Sequence, residues 1–378
     1  MSFHSRLLFA LLLFSLPTFA RAQDRSAEVK TAFARAQHLR HGINASEWFA
    51  QSPGDYSAAR TNSYTDDADI ALMAQLGFDN VRLSIDAVPL SRALFGRDNT
   101  GFLGRLDHAV GQMLAKGMAV QIDIHPESDY KKSVSSTGEG VDRFAMLWRK
   151  LAAHYADRNP DLIFFEIMNE PEDRDPYHWS GVQARAAEAI REAAPKNTII
   201  ATGPNWSSIA DLLTQHPLHD GNVIYNFHFY EPHEFTHQGA GWGGTWWIYT
   251  HDIPYPATED SMQKSLAEVP EAANRYALEH YWLDHWDGHR IRLQIDAAAA
   301  WGKEHQVPLI CNEFGAYREH SDPASRMNWI RDVRTALEAD GVGWTMWDYR
   351  GGFGVVWKQD GQPAKVDPAV VEALGLKK

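Results

Sequence analysis

The chain has 378 residues, 44% of them hydrophobic and 22% charged, which is the composition of an ordinary globular protein. Its 14 Trp, 13 Tyr and 17 Phe residues exclude a disordered chain, and a mean hydropathy of -0.41 excludes a bundle of membrane helices. A net charge of -13 argues against nucleic-acid binding, because that affinity comes mostly from clustered cations. The aromatic content of 12% instead favours a flat, neutral partner.

The amino terminus has the pattern of an export signal. Arg6 precedes an apolar run at 7–16, and the tripeptide 20–22 has the small-x-small form of a cleavage site. The run is shorter than the ~20 apolar residues that span a bilayer, although an uncleaved anchor is the alternative. We therefore expect 1–22 to be a signal peptide and 23–378 to be a single domain, secreted or periplasmic, with no membrane span after cleavage.

Short β-rich runs then alternate with amphipathic stretches of helical length. The predicted strands lie at 42–45, 80–85, 119–125, 162–169, 198–202, 223–230, 308–314 and 343–349. Helices are predicted between them, at 66–75, 102–116, 141–155, 179–193, 287–303 and 323–339. Asp66 and Ser321 are predicted helix N-caps, and Gly77, Gly117 and Gly341 are predicted helix ends. This alternation indicates parallel strands, arranged either as a barrel or as a doubly wound sheet.

The ends of the strands favour the barrel. Polar or aromatic residues follow nearly every predicted strand, namely Asn44, Arg82, His125, Asn169, Glu170, Asn205, His228, Tyr230, Glu313 and Trp347. In a (β/α)8 barrel all these ends meet at one mouth, where active sites are built. A doubly wound sheet would concentrate such residues at one switch point. We therefore predict an α/β fold, a (β/α)8 TIM barrel.

A long aromatic-rich insertion, 231–287, follows the sixth predicted strand. Loops of this length are uncommon in compact domains and are often functional. A barrel would place this insertion over its mouth. We expect most of its aromatic residues to fill a small core of their own, and one or two Trp to face a ligand.

Two predicted strands each deliver a glutamate to the mouth. The apolar run before Asn169-Glu170 ends abruptly in these polar residues, and the run before Glu313 has the same design. Burying a carboxylate is unfavourable unless it has a partner or a task. Two facing carboxylates are what glycosidic bond cleavage requires, because one protonates the leaving oxygen while the other attacks the sugar or positions water.

With these motifs the chain resembles glycoside hydrolase family 5, the large cellulase family of retaining (β/α)8 enzymes. The resemblance extends from His41 to Tyr349 and is most specific at 163–171. It implies that Glu170 is the acid/base and Glu313 the nucleophile. The supporting residues that it implies are Arg82, His125, Asn169, His228 and Tyr230, with Trp347 as a platform for a sugar ring.

The implied roles make electrostatic demands on the site. Glu313 must stay ionised, which Arg82 and a hydrogen bond from Tyr230 would favour. Glu170 must be protonated, so we expect the charge of Glu313 to raise its pKa.

Three further residues are weaker candidates for contact with the sugar. They are Asn44, Trp48 and Trp206. For the two Trp, packing in the core is an equally good interpretation.

Other patterns are rejected. The segment 239–244 satisfies G-x-G-x-x-G but neither follows a clear strand nor opens a helix, so dinucleotide binding is not expected. The pairs His216 and His219, and His233 and His237, have suggestive spacings but no metal-binding framework around them. No G-x-S-x-G elbow is present, which argues against an α/β-hydrolase.

The predicted function is a retaining endo-β-1,4-glucanase that acts on a polysaccharide or oligosaccharide as a monomer, without a metal or other cofactor. The same mechanism on mannan, xyloglucan, mixed-linkage glucan or a glucosylated lipid is the main alternative. A carbohydrate-binding protein without catalysis is a further alternative, disfavoured by the presence of both Glu170 and Glu313.

Overall fold

A computed structural model of the protein describes residues 16–52, 54–243, 247–269 and 272–377. Most of the predicted signal run, 7–16, lies outside these ranges. Within them, no helix combines the length and the apolar composition needed to cross a bilayer.

Eight parallel strands close into a barrel in sequential order, so the predicted TIM barrel is confirmed. The strands are β1 His41–Phe49, β2 Asn80–Ile85, β3 Ala119–Ile124, β4 Ile163–Glu166, β5 Thr198–Ala201, β6 Val223–Phe229, β7 Leu309–Phe314 and β8 Gly343–Met346. Five of them, β3, β4, β5, β6 and β8, end one to three residues earlier than predicted. Asn169 and Glu170 therefore lie in the turn after β4, and Trp347 lies just beyond β8.

Helices cover the outside of the barrel, and each predicted helix is present. Their bounds are α1 Leu16–Ala36, α2 Ala58–Tyr64, α3 Asp67–Leu76, α4 Ala87–Leu94, α5 Phe102–Ala115, α6 Ser128–Ser135, α7 Gly138–Tyr155, α8 Pro176–Ala193, α9 Ile209–Leu213, α10 His233–Thr236, α11 Glu259–Glu268, α12 Ala272–Leu283, α13 Gly288–His305, α14 Pro323–Ala339 and α15 Pro368–Ala373. A two-stranded sheet, β9 Val356–Trp357 with β10 Lys365–Val366, follows β8. The sequence pattern missed mainly short helices, whose stability comes from packing rather than from their own periodicity.

Both predicted caps of α3 are confirmed, whereas the predicted N-cap of α14 is wrong. Asp66 caps α3 through a capping box with Asp69, and Gly77 ends that helix with φ +97°. Ser321, however, is not the N-cap of α14. Asp322 fills that position by accepting from the Ser325 amide, while the Ser321 hydroxyl donates to the carbonyl of Tyr317.

The barrel interior has an apolar floor below a polar layer. A small cluster separate from the main core contains Leu39, Ala119, Phe164, Ile200, Ile224 and Ile310. Side chains two residues apart on a strand share one face, so Asp123, Glu166, Asn226 and Asn312 lie on the same inner face, nearer the carboxyl ends of their strands. The polar layer therefore supports the mouth from below.

Helix α1 packs against the amino-terminal ends of β4, β5 and β6. Arg35 donates to Asp161 at 2.9 Å and to the Thr198 hydroxyl at 3.1 Å. Glu28 accepts from the amide of Gly221 at 2.9 Å. The predicted cleavage site at 20–22 lies within α1, and both Glu28 and Arg35 come after it in the chain. These contacts would therefore remain after cleavage.

The insertion after β6 comprises α10, a 3-10 turn at Trp247–Tyr249, α11 and α12. The predicted separate core for its aromatic residues is wrong. Tyr255, Tyr281 and Trp286 are buried in the main core, whereas Tyr249 and Tyr276 are exposed. Trp242 and Trp247 line the mouth of the barrel. Trp246 lies outside the described residues.

Candidate active site

A cleft of about 930 Å³ opens at the carboxyl ends of the strands. The predicted residues that line it are His125, Asn169, Glu170, Trp206, His228, Tyr230, Glu313 and Trp347. Glu170 and Trp206 have positive φ values of 41° and 61°, in the left-handed region that residues other than glycine rarely adopt. Such conformations are concentrated at functional sites, where the surrounding structure holds them.

Glu170 and Glu313 face each other across the cleft. One carboxylate oxygen of each and a ring nitrogen of His228 all lie within 4.8 Å of one another. Among the described residues, this trio is also the group that could together ligate a metal ion. Glu313 is 4% exposed, and the Glu170 side chain is 20% exposed, so Glu170 is the more accessible from the cleft.

Arg82 lies beneath Glu313 and is completely buried. Its Nη1 donates to Glu313 Oε1 at 2.5 Å and to Asn44 Oδ1 at 3.0 Å. Its Nε and Nη2 donate to the two oxygens of Glu166, each at 2.7 Å. Nη2 also donates to Asn169 Oδ1 at 2.9 Å. These five contacts use all five N–H groups of the guanidinium, and this fixes the orientation of its plane.

The other oxygen of Glu313 accepts from Tyr230. The phenol donates to Oε2 at 2.8 Å. Burial and the neighbouring charge of Glu313 hold the pKa of Tyr230 well above its ordinary value, so the phenol stays a donor. Arg82 and Tyr230 thus hold one carboxylate oxygen each, as the sequence predicted.

Glu170 and His228 form a hydrogen-bonded pair. His228 Nδ1 lies 3.0 Å from Glu170 Oε1 and 3.5 Å from Glu313 Oε2. Burial alone would lower the pKa of His228, but the charges of Glu313 and Glu170 outweigh it and raise that pKa. Burial alone would raise the pKa of Glu170, but the hydrogen bond and charge of His228 lower it to about 2. The predicted rise in the pKa of Glu170 is therefore wrong for the free enzyme.

A second polar chain joins β3 to the turn after β4. His125 Nδ1 lies 2.8 Å from Asp123 Oδ2, and Asn169 Nδ2 lies 3.1 Å from His125 Nε2. The Asn169 amide can donate only to a ring nitrogen without a proton, so His125 is neutral with its proton on Nδ1. Burial, together with the charge of Arg82, accordingly lowers the pKa of His125 to about 3.

Two residues that the sequence suggested for sugar contact do not line the cleft. The suggestion was wrong for Asn44, whereas for Trp48 the structure agrees with the alternative of packing in the core. Asn44 is fully buried and uses its amide to accept from Arg82 and to donate to the Asn312 carbonyl at 3.0 Å. Trp48 is 4% exposed and its indole N–H donates to the Thr61 carbonyl at 2.7 Å. Their side chains are committed to the protein, so neither is free for a ligand.

Aromatic side chains form the walls of the cleft. Trp206 is 52% exposed and lies below Lys131, whose Nζ is 5.5 Å from the ring centre. Trp242 is 60% exposed and comes from the insertion. Trp347 stacks on His125 with ring centres 5.8 Å apart. Flat apolar faces separated by polar groups suit pyranose rings, whose faces are apolar and whose edges carry hydroxyls.

The sequence pattern missed two buried carboxylates below the catalytic pair. Asp123 and Glu166 both contact Arg82. The two-residue period of a strand could have found Asp123, because it precedes His125 by two positions and shares its face. Glu166 was visible as a charge inside an apolar strand, which is unfavourable without a buried partner.

Known proteins are similar to this chain over most of its length. The model of the cellulase family, glycosyl hydrolase family 5, matches residues 43–352. Endoglucanase 3 of Fibrobacter succinogenes is 30% identical over 360 residues, which are 90% of this chain but only 53% of that protein. Endoglucanase C of Acetivibrio thermocellus is 26% identical over 89% of this chain and 98% of its own length. The chain therefore spans about half of the first relative and nearly all of the second.

A solved structure has the same fold over nearly its whole length. Thermotoga maritima Cel5A in complex with cellobiose superposes with a TM-score of 0.72 and 26% identity, covering 91% of this chain and 99% of that one. The same protein in complex with mannotriose gives a TM-score of 0.71 at 26% identity.

We expect His125 to make stability pH-dependent. Its folded-state pKa of about 3 lies below the ordinary 6.5 of an unfolded chain, so its contribution is fully present above pH 6.5 and is lost as pH falls toward about 3. The slope of the unfolding free energy with pH should fall in His125→Gln by up to about 1.4 kcal/mol per pH unit. Urea unfolding at several pH values measures it.

The control is His108→Gln, which removes a surface imidazole whose side chain is 59% exposed. Parallel curves for the wild type and His125→Gln would contradict the assignment of a neutral, buried His125.

Proposed function

The chain belongs to the cellulase family, glycosyl hydrolase family 5, and we propose that it is a retaining endo-β-1,4-glucanase in which Glu313 is the nucleophile and Glu170 the acid/base. The observation that carries this proposal is the separation of at most 4.8 Å between a carboxylate oxygen of Glu170 and one of Glu313. Retaining glycosidases have carboxyl groups about 5–5.5 Å apart, whereas inverting ones need about 6.5–9.5 Å to admit a water.

In the first step Glu313 attacks the anomeric carbon. An oxygen–carbon bond forms to Glu313 while the bond from that carbon to the leaving oxygen breaks, and a proton moves to the leaving oxygen. Arg82 and Tyr230 hold the carboxylate by one oxygen each, so it is already oriented before the sugar arrives.

The proton comes from the Glu170–His228 pair. In the free enzyme this pair holds one proton, which the raised pKa of His228 and the lowered pKa of Glu170 place on the imidazole. As the bond to Glu313 forms, the charge that favours the protonated imidazole is lost. In the same step the proton passes through Glu170 to the leaving oxygen as its bond to the sugar breaks. In the second step water attacks the same carbon, Glu313 leaves, and Glu170 takes the proton of the water.

The substrate is inferred from the walls of the cleft and from the relatives. Trp206, Trp242 and Trp347 offer flat faces along an open cleft, which fits a chain of uncharged sugars. The similar proteins named above are endoglucanases, and one solved structure holds cellobiose. These features favour β-1,4-glucan.

β-Mannan is a second candidate substrate. The mannotriose complex of Thermotoga maritima Cel5A, at 26% identity, is the observation that favours it. The mechanism and the catalytic residues would be the same.

We also propose that the chain is exported and that residues 1–22 are removed. The sequence pattern supports this, and the contacts of α1 that involve Glu28 and Arg35 lie beyond the cut. Mass spectrometry of the full chain, expressed in a bacterium with an export pathway, should find a mature amino terminus at Gln23. An uncut chain recovered in the membrane fraction would instead support an anchor.

Substrate and nucleophile can be tested together. Reducing-sugar release by residues 23–378 should be highest on carboxymethylcellulose and mixed-linkage glucan, compared with xyloglucan and mannan. Glu313→Gln should lower it by about 10³-fold or more, because an amide cannot form the glycosyl-enzyme. Glu192→Gln, at a side chain 56% exposed on α8, is the control. Activity on mannan alone would keep the mechanism and exchange the substrate.

The two glutamates can be distinguished with an aryl β-cellobioside whose leaving group needs no proton. Glu170→Ala should form the glycosyl-enzyme but hydrolyse it slowly, and azide should raise turnover by about 10²-fold because azide needs no general base. The product should be the β-glycosyl azide. Glu313→Ala should instead give the α-azide, since azide then attacks the opposite face. Proton NMR of the products measures this, and the reverse pattern would exchange the two roles.

A further inference from the structure

Glu166 lies directly beneath the catalytic pair, and the mechanism above gives it no task. It is the last residue of β4 and is completely buried. Its two oxygens face the Nε and Nη2 of Arg82, each at 2.7 Å, as a parallel pair of hydrogen bonds. Asn312 donates to it at 2.7 Å and Asn226 at 3.2 Å.

These contacts identify the charge state of Glu166. All four partners are N–H donors, and a protonated carboxyl would present its own hydrogen to them without an acceptor. Burial raises the pKa of Glu166, and the charge of Arg82 opposes that rise. The donor set therefore fits a carboxylate, which the guanidinium and two amides compensate within the barrel.

The parallel pair determines where Arg82 points. Because Nε and Nη2 are both held by Glu166, the guanidinium plane is fixed and only Nη1 is directed toward Glu313 and Asn44. Asn312, which donates to Glu166, is the residue immediately before Glu313. Glu166 thus orients both the guanidinium and the strand end that carries the nucleophile.

Glu166 also compensates the positive charge of Arg82 while the reaction proceeds. Glu313 loses its charge when it bonds to the sugar, and Arg82 then loses one of its counterions. A buried cation without a counterion is strongly unfavourable. Glu166 remains charged in both states, so the guanidinium stays compensated throughout the reaction.

We propose that Glu166 is a positioning residue that acts through Arg82, aiming Nη1 at Glu313 and serving as the permanent counterion that lets Glu313 lose its charge in the glycosyl-enzyme. This inference rests on the proposed function of Glu313 as nucleophile. Other charged or titratable groups also face Glu313 and Arg82, namely Asp123 from β3, Glu170 from the turn after β4, His228 from β6 and Tyr230 just beyond β6.

The test is Glu166→Gln, which keeps the shape and removes the charge. Arg82 then loses its parallel pair of carboxylate acceptors and a permanent counterion, so Nη1 is less well aimed at Glu313 and the guanidinium is less well compensated in the glycosyl-enzyme. The value of kcat/KM on an aryl β-cellobioside should fall by about 10- to 100-fold, and the pre-steady-state burst of aryl release should disappear, because formation of the glycosyl-enzyme is the step that slows.

Two further variants separate charge from structure. Glu166→Asp keeps the charge but shortens the side chain, so its kcat/KM should fall less than that of Glu166→Gln and its burst should remain. Thr345→Val changes a buried side chain of the barrel interior that contacts Gln121 at 3.1 Å and carries no charge. It should alter stability only, with kcat/KM within about 2-fold of the wild type and the burst unchanged.

A kcat/KM of folded Glu166→Gln within about 2-fold of the wild type, or an equal fall with loss of the burst in Glu166→Asp, would overturn the inference. If Glu166→Gln does not fold by circular dichroism, Glu166→Asp decides: a burst that remains supports the inference, and a burst that disappears overturns it. A wild type that hydrolyses no aryl β-glycoside would contradict the proposed function instead, so the two failures are distinguishable.

Discussion

The buried guanidinium of Arg82 is the interaction on which the site depends. It contacts Glu166 and Glu313 through hydrogen bonds, and Asp123 at 3.1 Å. Removing so many charges from water is unfavourable unless they are paired and hydrogen-bonded to one another. Arg82 lies on β2, and its partners come from β1, β3, β7, the end of β4 and the turn after it, so a correctly closed barrel is required to assemble them. Fold and chemistry are coupled at this one side chain.

Along its axis, the barrel interior divides into an apolar part that stabilises the fold and a polar layer that supports the cleft. Apolar side chains such as Phe164 and Ile224 fill the floor and supply burial energy without polar groups to satisfy. Two residues further along the same strands, Glu166 and Asn226 begin the polar layer. The two-residue period makes this division possible, because one strand face can change from apolar to polar within a single step.

The catalytic pair is asymmetric because its two glutamates have different neighbours. Glu313 is held by a permanent cation and a phenol, whereas Glu170 is held by a titratable imidazole. The guanidinium beside Glu313 keeps its charge at all working pH values. A carboxylate beside His228 can exchange its proton as the charge of Glu313 changes. Such different neighbours are what the proposed roles of nucleophile and acid/base require of two residues of the same type.

The sequence alone was enough to predict the barrel and its alternation of strands and helices. It also predicted the residues that follow each strand, because apolar runs and their abrupt polar ends are local features. It could also place Glu170 and Glu313 at one mouth, since parallel strands end on the same side. Which side chains face the cleft depends instead on the folded arrangement. Asn44 and Trp48 follow the same pattern as the cleft residues, yet they point to Arg82 and to Thr61.

The protonation of the site likewise depends on contacts that form only in the folded chain. The charge of Glu313 suggested a raised pKa for Glu170, but the distance of 3.0 Å from His228 reverses its direction. Electrostatic effects depend on distances of a few ångströms between residues far apart in the chain, and no sequence spacing contains those distances. The roles of Asp123 and Glu166 depend in the same way on their contact with Arg82.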